Sequence, residues 1–216
     1  MSYPYKANNN YGLPPVSPPL PYDAQSAYGR AQPLMSTAPG MYAASGEQMN
    51  NSELMQWFLA VDADGSGSIN VSELNAALTS AGVPFSMATT EKLLHMFDKD
   101  GNDAIRFNEF QALHQFIMSM KHGFRQRDPS GSGRLDGSVV RSALAENGVQ
   151  ISEQTFQALM RKFDRHRRGS LGFDDYVELS IFISKVRNVF SFYDRERTGQ
   201  VTFTFDTFVG GSVSVL

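Results

Sequence analysis

Five segments of this 216-residue chain start on aspartate, at positions 62, 98, 128, 164 and 194. Each carries an aliphatic residue seven places later: Ile69, Ile105, Leu135, Leu171 and Val201. The first, D-A-D-G-S-G-S-I-N-V-S-E from Asp62 to Glu73, is the most complete. Asp62, Asp64 and Ser66 place side-chain oxygens at positions 1, 3 and 5. Gly67 at position 6 permits the sharp turn that folds both halves of the segment around one point. Ser68 offers its main-chain carbonyl at position 7, Asn70 serves position 9 directly or through water, and Glu73 closes the set at position 12 with two oxygens. An all-oxygen donor set at this spacing suits calcium.

The flanking pattern is helical. Leu54, Trp57, Phe58 and Val61 fall at i, i+3, i+4 and i+7 and form one apolar face running into the first loop; core packing is the expected role of Trp57, the only tryptophan. Leu74, Ala77 and Leu78 continue a second helix, which Gly82, Val83 and Pro84 end. A loop between two such helices is an EF-hand. The unit recurs, with a helix over Thr89–Phe97 leading into the loop at Asp98. Successive loop starts lie 36, 30, 36 and 30 residues apart. The longer interval holds an outgoing helix, a turn and a new incoming helix, whereas the shorter one holds a single helix that serves two loops. One such helix, of about 20 residues and roughly 30 Å, lies between loops 2 and 3, and Val177 to Phe192 repeats the arrangement between loops 4 and 5. The expected fold is all-α: five helix–loop–helix units over residues 49–216, with shared helices and short β contacts where paired loops meet at position 8.

Residues 1–48 differ in kind. They hold eight of the ten prolines and six of the eight tyrosines, and almost no charge. Such a stretch cannot present a helical or alternating apolar face, so it reads as a disordered Pro/Tyr/Gly-rich arm sampling polyproline II, either a plain tail or an interaction arm. The chain has no cysteine, which excludes disulfides, thiolate metal sites and a cysteine nucleophile and points to a reducing compartment. A net charge of −3 with mixed signs argues against nucleic acid as a partner. The N-terminus lacks the apolar stretch of a secretory signal, Ser2 is incompatible with N-myristoylation, and no run is long enough to span a bilayer. A cytoplasmic protein, with at most peripheral membrane contact, is expected. His95, His114, His122 and His166 have no partnered nucleophile or metal spacing, and no phosphate-binding glycine loop follows a strand, so no enzyme is expected.

Five hands with shared helices behind a Pro/Tyr/Gly-rich arm resemble the penta-EF-hand family. R-K-F-D-R-H-R-R-G-S-L-G-F-D-D-Y, from Arg161 to Tyr176, is most similar to the fourth hand of the subgroup that contains the apoptosis-linked gene 2 protein and peflin. The resemblance implies a calcium-sensing adaptor that exposes a hydrophobic groove, takes Pro-rich protein segments there, and bridges partners in membrane traffic, repair or cell death. It also implies a homodimer through the fifth hand, or a heterodimer with a related chain. That agrees with the count of loops: with 1 paired to 2 and 3 to 4, loop 5 is left alone. Val189, Phe190, Val201, Phe205 and Phe208 are the expected interface. Met96, Met118, Met120 and Met160 are candidates for the groove, although each one singly is better suited to filling a core. The alternatives are the regulatory small subunit of a calpain-like protease and a calcium buffer.

The loops differ in donors. Loop 2 keeps Asp98, Asp100, Asn102, the carbonyl of Ala104, and Glu109, but Asp103 replaces glycine at position 6, and a left-handed backbone there costs on the order of 1 kcal/mol. Weaker binding than in loop 1 follows. Loop 3 offers Asp128, Ser130, Ser132, the carbonyl of Arg134, and Asp136, with Val139 where the bidentate glutamate belongs; the family's use of its third hand therefore does not carry over cleanly. Loop 4 sets His166 and Arg168 between Asp164 and Asp175 and reads as structural, its basic side chains, Arg165 among them, forming a solvated face. Loop 5 has Asp194, Glu196 and Thr198 but Phe205 at position 12; Asp206, one step on, resembles the family's lengthened fifth loop.

Overall fold

The loops set the helix boundaries. In the computed structural model, which describes residues 50–82 and 84–215, each incoming helix ends where a loop begins. Helices α1 (Asn51–Val61), α3 (Met87–Phe97), α4 (Phe107–Arg127), α6 (Glu153–Phe163) and α7 (Phe173–Tyr193) are capped by Asp62, Asp98, Asp128, Asp164 and Asp194 respectively. The N–H of each of these aspartates still donates to the last helical turn, while its carboxylate turns to the loop. The outgoing helices α2 (Val71–Ser80), α5 (Gly137–Glu146) and α8 (Phe205–Val213) complete the set. The two shared helices, α4 and α7, are each 21 residues long. α7 starts four residues before Val177 because position 10 of loop 4 is already helical. α3 starts at Met87 rather than Thr89 because Ser86 caps it, accepting from the Thr89 N–H. The 1–48 arm and Val83 lie outside the described residues.

Loops pair as the position-8 pattern requires. Ile69 and Ile105 exchange two main-chain hydrogen bonds of 2.8 Å each. β1 (Arg134–Asp136) and β2 (Ser170–Gly172) form an antiparallel ribbon with Leu135 opposite Leu171. All four of these side chains are at most 1% exposed and sit at the centre of their lobes. Among the described residues the fold is therefore all-α apart from these loop contacts.

The two lobes share one core. Phe85 stacks on Phe173 at 5.6 Å, and Phe124, near the end of α4, meets Phe173 and Tyr176 edge-on. Met120 and Met160 are buried in this core, so of the four methionines proposed for a groove only Met118, at 45%, is strongly exposed. Trp57 is half-buried, lying edge-on to Phe110 and His114, and is less enclosed than a core tryptophan.

Polar contacts reinforce the seam between α3 and α7. Arg165, though exposed, is not a free surface charge. It pairs with Asp174 at 2.7 Å, with Asp175 at 3.4 Å and with Glu178, and it donates to Thr89 Oγ1 on α3 at 3.2 Å. Lys92 of α3 pairs with the other oxygen of Glu178. Burial works to raise the Glu178 carboxyl, but the hydrogen bonds from Lys92 and Arg165 prevail and hold it below its ordinary value. A depressed folded-state pKa stabilises above the unfolded value of about 4.3, and that stability is lost as pH falls through the folded value. Glu178→Gln should therefore cost about 1–3 kcal/mol at pH 7 in urea unfolding, because two cations lose their shared partner. The gap to wild type should close as the pH falls below about 4.

Candidate metal centre

Loop 1 gathers its acidic donors. Carboxylate oxygens of Asp62, Asp64 and Glu73 lie within 4.8 Å of one another. Asp62 closes the loop, accepting from Ser66 N–H at 2.9 Å with one oxygen and Gly67 N–H at 2.8 Å with the other. The hydroxyl and N–H of Ser66 hold the Asp64 carboxyl below the usual carboxylate range, so the charge an ion needs is in place. Glu73 accepts from Ala63 N–H with Oε1 and from Asn70 N–H with Oε2, fixing the end of the loop to its beginning. One acceptor position on each oxygen remains for an ion. The Ser68 carbonyl accepts from Ser66 Oγ at 2.9 Å. Asn70 also serves the next helix, since its side-chain oxygen accepts from the N–H groups of Ser72 and Glu73 and caps α2.

Loop 2 repeats the geometry. Carboxylate oxygens of Asp98, Asp100 and Glu109 also lie within 4.8 Å of one another. Glu109 is buried and accepts from Lys99 and Arg106 N–H groups at 2.8 Å each, the counterpart of the Glu73 bridge. Asp103 adopts φ 58°, the left-handed conformation that position 6 demands and glycine usually supplies. Asn102 takes the Ala104 N–H on its side-chain oxygen at 2.9 Å. The loop also contains a cation of its own: Arg106 at position 9 pairs with Asp100 at 2.6 Å.

The remaining loops close on themselves. In loop 3, Asp128 accepts from the hydroxyls of Ser130 and Ser132 and from the N–H groups of Ser132 and Gly133. These bonds outweigh the effect of burial and hold its carboxyl low. Val139, at position 12, packs against the core instead of closing the loop, and Asp136 stands exposed before α5. The side chain of Arg134 crosses to loop 4, where its Nε donates to Ser170 Oγ at 2.8 Å and a terminal nitrogen reaches the Ser170 carbonyl. It stands 3.9 Å from Asp164, which is buried, with one oxygen lacking a hydrogen-bond partner. Loop 4 thus holds a guanidinium on the side where an ion would need charge. Loop 5 folds around Asp194, which takes Thr198 and Gly199 N–H at 2.8 Å each, while Phe205 is 85% exposed at position 12.

The sequence profile of an EF-hand domain pair matches residues 51–115 and again 118–181. Sorcin from Schistosoma japonicum is 35% identical over 78% of this chain and 98% of its own length. The penta-EF hand domain-containing protein 2 of Dictyostelium discoideum is 35% identical over 69% of this chain and 72% of its own. A solved structure of a homolog of programmed cell death 6 protein from Leishmania major Friedlin is 74% identical, covers 77% of this chain and 95% of its own, and superposes with a TM-score of 0.66. The chain belongs to the penta-EF-hand family. It is a calcium-binding EF-hand protein, and the donor sets of loops 1 and 2 fit that ion: hard oxygens, three carboxylates each, and a closing glutamate.

Two residues of this penta-EF-hand chain matter to the sites in ways that the loop pattern does not flag. Arg106 and Arg134 both put a guanidinium beside an acidic ligand position. The only signal in the sequence is a basic residue within an otherwise acidic loop, and its reach cannot be read from spacing. Glu73→Gln should raise the dissociation constant of one of the calcium sites by at least about tenfold, since a charged bidentate ligand is lost. Isothermal titration against wild type measures it.

Proposed function

We propose that this chain is a calcium sensor and adaptor. The observation that carries the reading is the back-to-back pair formed by loops 1 and 2, each with converging carboxylates and joined through Ile69 and Ile105. An ion drawn to either loop pulls on the first aspartate at the end of one helix and on the glutamate in the first turn of the next. It therefore changes the angle between helices that share the core. The groove so opened takes Pro-rich segments of partner proteins. The protein works in the cytoplasm, with peripheral membrane association when calcium is present. The test is retention on an immobilised proline-rich peptide, with tryptophan fluorescence read in parallel. Retention in calcium, lost in chelator and lost in Glu73→Ala, supports the reading. Equal retention in all three overturns it.

The fifth hand supports a dimer. Among the described residues Val201 has no pairing partner, and Phe190, Phe205, Phe208, Val209 and Val213 are 37–85% exposed. An apolar surface of this kind favours a second copy related by a two-fold axis. Val189 is more enclosed than Phe190, Phe205 or Phe208: a Cβ on Gly211 of α8 would come within 3.1 Å of it, and with Phe190 and Phe208 it lines a cleft of about 500 Å³ between α7 and α8. Equilibrium sedimentation should give about 48 kDa, twice the 23.9 kDa chain, and Val201→Asp should give the monomer mass. A wild-type monomer at micromolar concentration overturns the self-pairing arrangement and favours a related chain as the partner.

A further inference from the structure

Loop 1 contains no lysine or arginine, whereas loop 2 has Lys99 at position 2 and Arg106 at position 9. The two cations are placed differently. Among the described residues no carboxylate lies within ion-pair range of Lys99, while Arg106 Nη1 sits 2.6 Å from Oδ2 of Asp100, the position-3 ligand. Position 9 is where loop 1 has Asn70, whose side-chain oxygen caps α2. Arg106 makes no side-chain cap on α4, so its guanidinium is free to turn back over the loop. The pair is accessible, with 60% of the Arg106 side chain and 37% of the Asp100 side chain exposed, so a dissolved ion can compete for the carboxylate.

We propose that Arg106 is an internal competitor for calcium at loop 2: its guanidinium occupies Asp100 until the ion displaces it, so that loop 2 fills at higher calcium than loop 1. The inference rests on loop 2 binding calcium. It adds that the threshold of that site is set by one side chain outside the donor set. Two effects act together. The ion must break an exposed ion pair, and it must enter against a positive charge a few ångströms away. Removing the charge relieves both, whereas removing the unpaired charge of Lys99 relieves only a weaker, screened repulsion. The N–H of Arg106 that Glu109 accepts belongs to the main chain and survives substitution.

The test isolates loop 2 by working in the Glu73→Gln background and titrating calcium by calorimetry, with circular dichroism confirming the fold. Arg106→Gln should tighten the remaining site about three- to tenfold, Lys99→Gln less than about twofold, and Arg106→Lys by an intermediate amount. Raising the salt from about 0.05 to about 0.5 M should weaken loop 2 less in the arginine form than in Arg106→Gln, because salt also loosens the competing pair. Equal effects of Arg106→Gln and Lys99→Gln, or no effect of either, overturn the competitor. The same titration in a Glu109→Gln background reports on loop 1 alone, where calcium binding in the face of that failure leaves the sensor reading standing, and absence of binding removes both.

Discussion

Two hydrogen bonds between Ile69 and Ile105 hold the ion-binding half of the molecule together. A twelve-residue polar loop cannot bury anything by itself, and its main-chain groups need partners. Pairing at position 8 meets both needs, because each loop supplies the other's missing main-chain partner and sends one aliphatic side chain into the core. Leu135 and Leu171 do the same on the other side. The constraint also fixes what the molecule lacks. Pairing consumes loops two at a time, so a fifth loop must find its partner in another chain or leave Val201 without one.

The shared helices turn this pairing into a coupled system. α4 leaves loop 2 and enters loop 3, so the two lobes have no flexible tether between them that could absorb a rotation. The seam between α3 and α7 adds a second connection. α3 is the incoming helix of loop 2, and it carries Thr89 and Lys92, which meet Arg165 and Glu178 at the fourth hand. A movement of α3 on ion binding must therefore either carry α7 with it or break hydrogen bonds to charged groups, which are stronger than neutral ones. α7 in turn carries Val189 and Phe190 into the fifth hand. A continuous physical path thus joins the calcium loops to the proposed dimer face, through elements that are rigid over their length.

Much of this was legible in the sequence because it depends on local periodicity. The position-8 residues gave the pairing, the alternating 36- and 30-residue intervals gave the shared helices, and Asp103 at position 6 implied the left-handed backbone observed at φ 58°. What escaped was set by side chains that travel. Arg165 reads as part of a basic surface run, yet its guanidinium finds three carboxylates and a hydroxyl on other elements. Asn70 reads as serving the ion directly or through water, and the spacing does not show that its oxygen also takes two N–H groups of the adjacent helix start. Met120 and Met160, which could line a groove or fill a core, take the core role, because the helix face they occupy is set by Leu113, Phe116, Phe156 and Phe163 around them. Spacing determines which residues share a loop or a face, while the reach of a long polar side chain depends on the tertiary neighbours it meets.

Arg106 and Arg134 show how similar chemistry leads to different outcomes. Both bring a guanidinium toward a carboxylate that the loop pattern reserves for calcium. Arg134 is 24% exposed, is held by hydrogen bonds to both the hydroxyl and the carbonyl of Ser170, and faces a buried aspartate. Displacing it would leave a desolvated cation without partners, a cost that calcium could recover only with a full donor set, which loop 4 lacks. Arg106 is 60% exposed, holds one carboxylate, and is solvated as soon as it lets go. The buried arginine therefore acts as a permanent part of loop 4, while the exposed one is exchangeable. The difference lies in solvation rather than in charge, and it separates a loop that has become scaffold from one that can still respond to the ion.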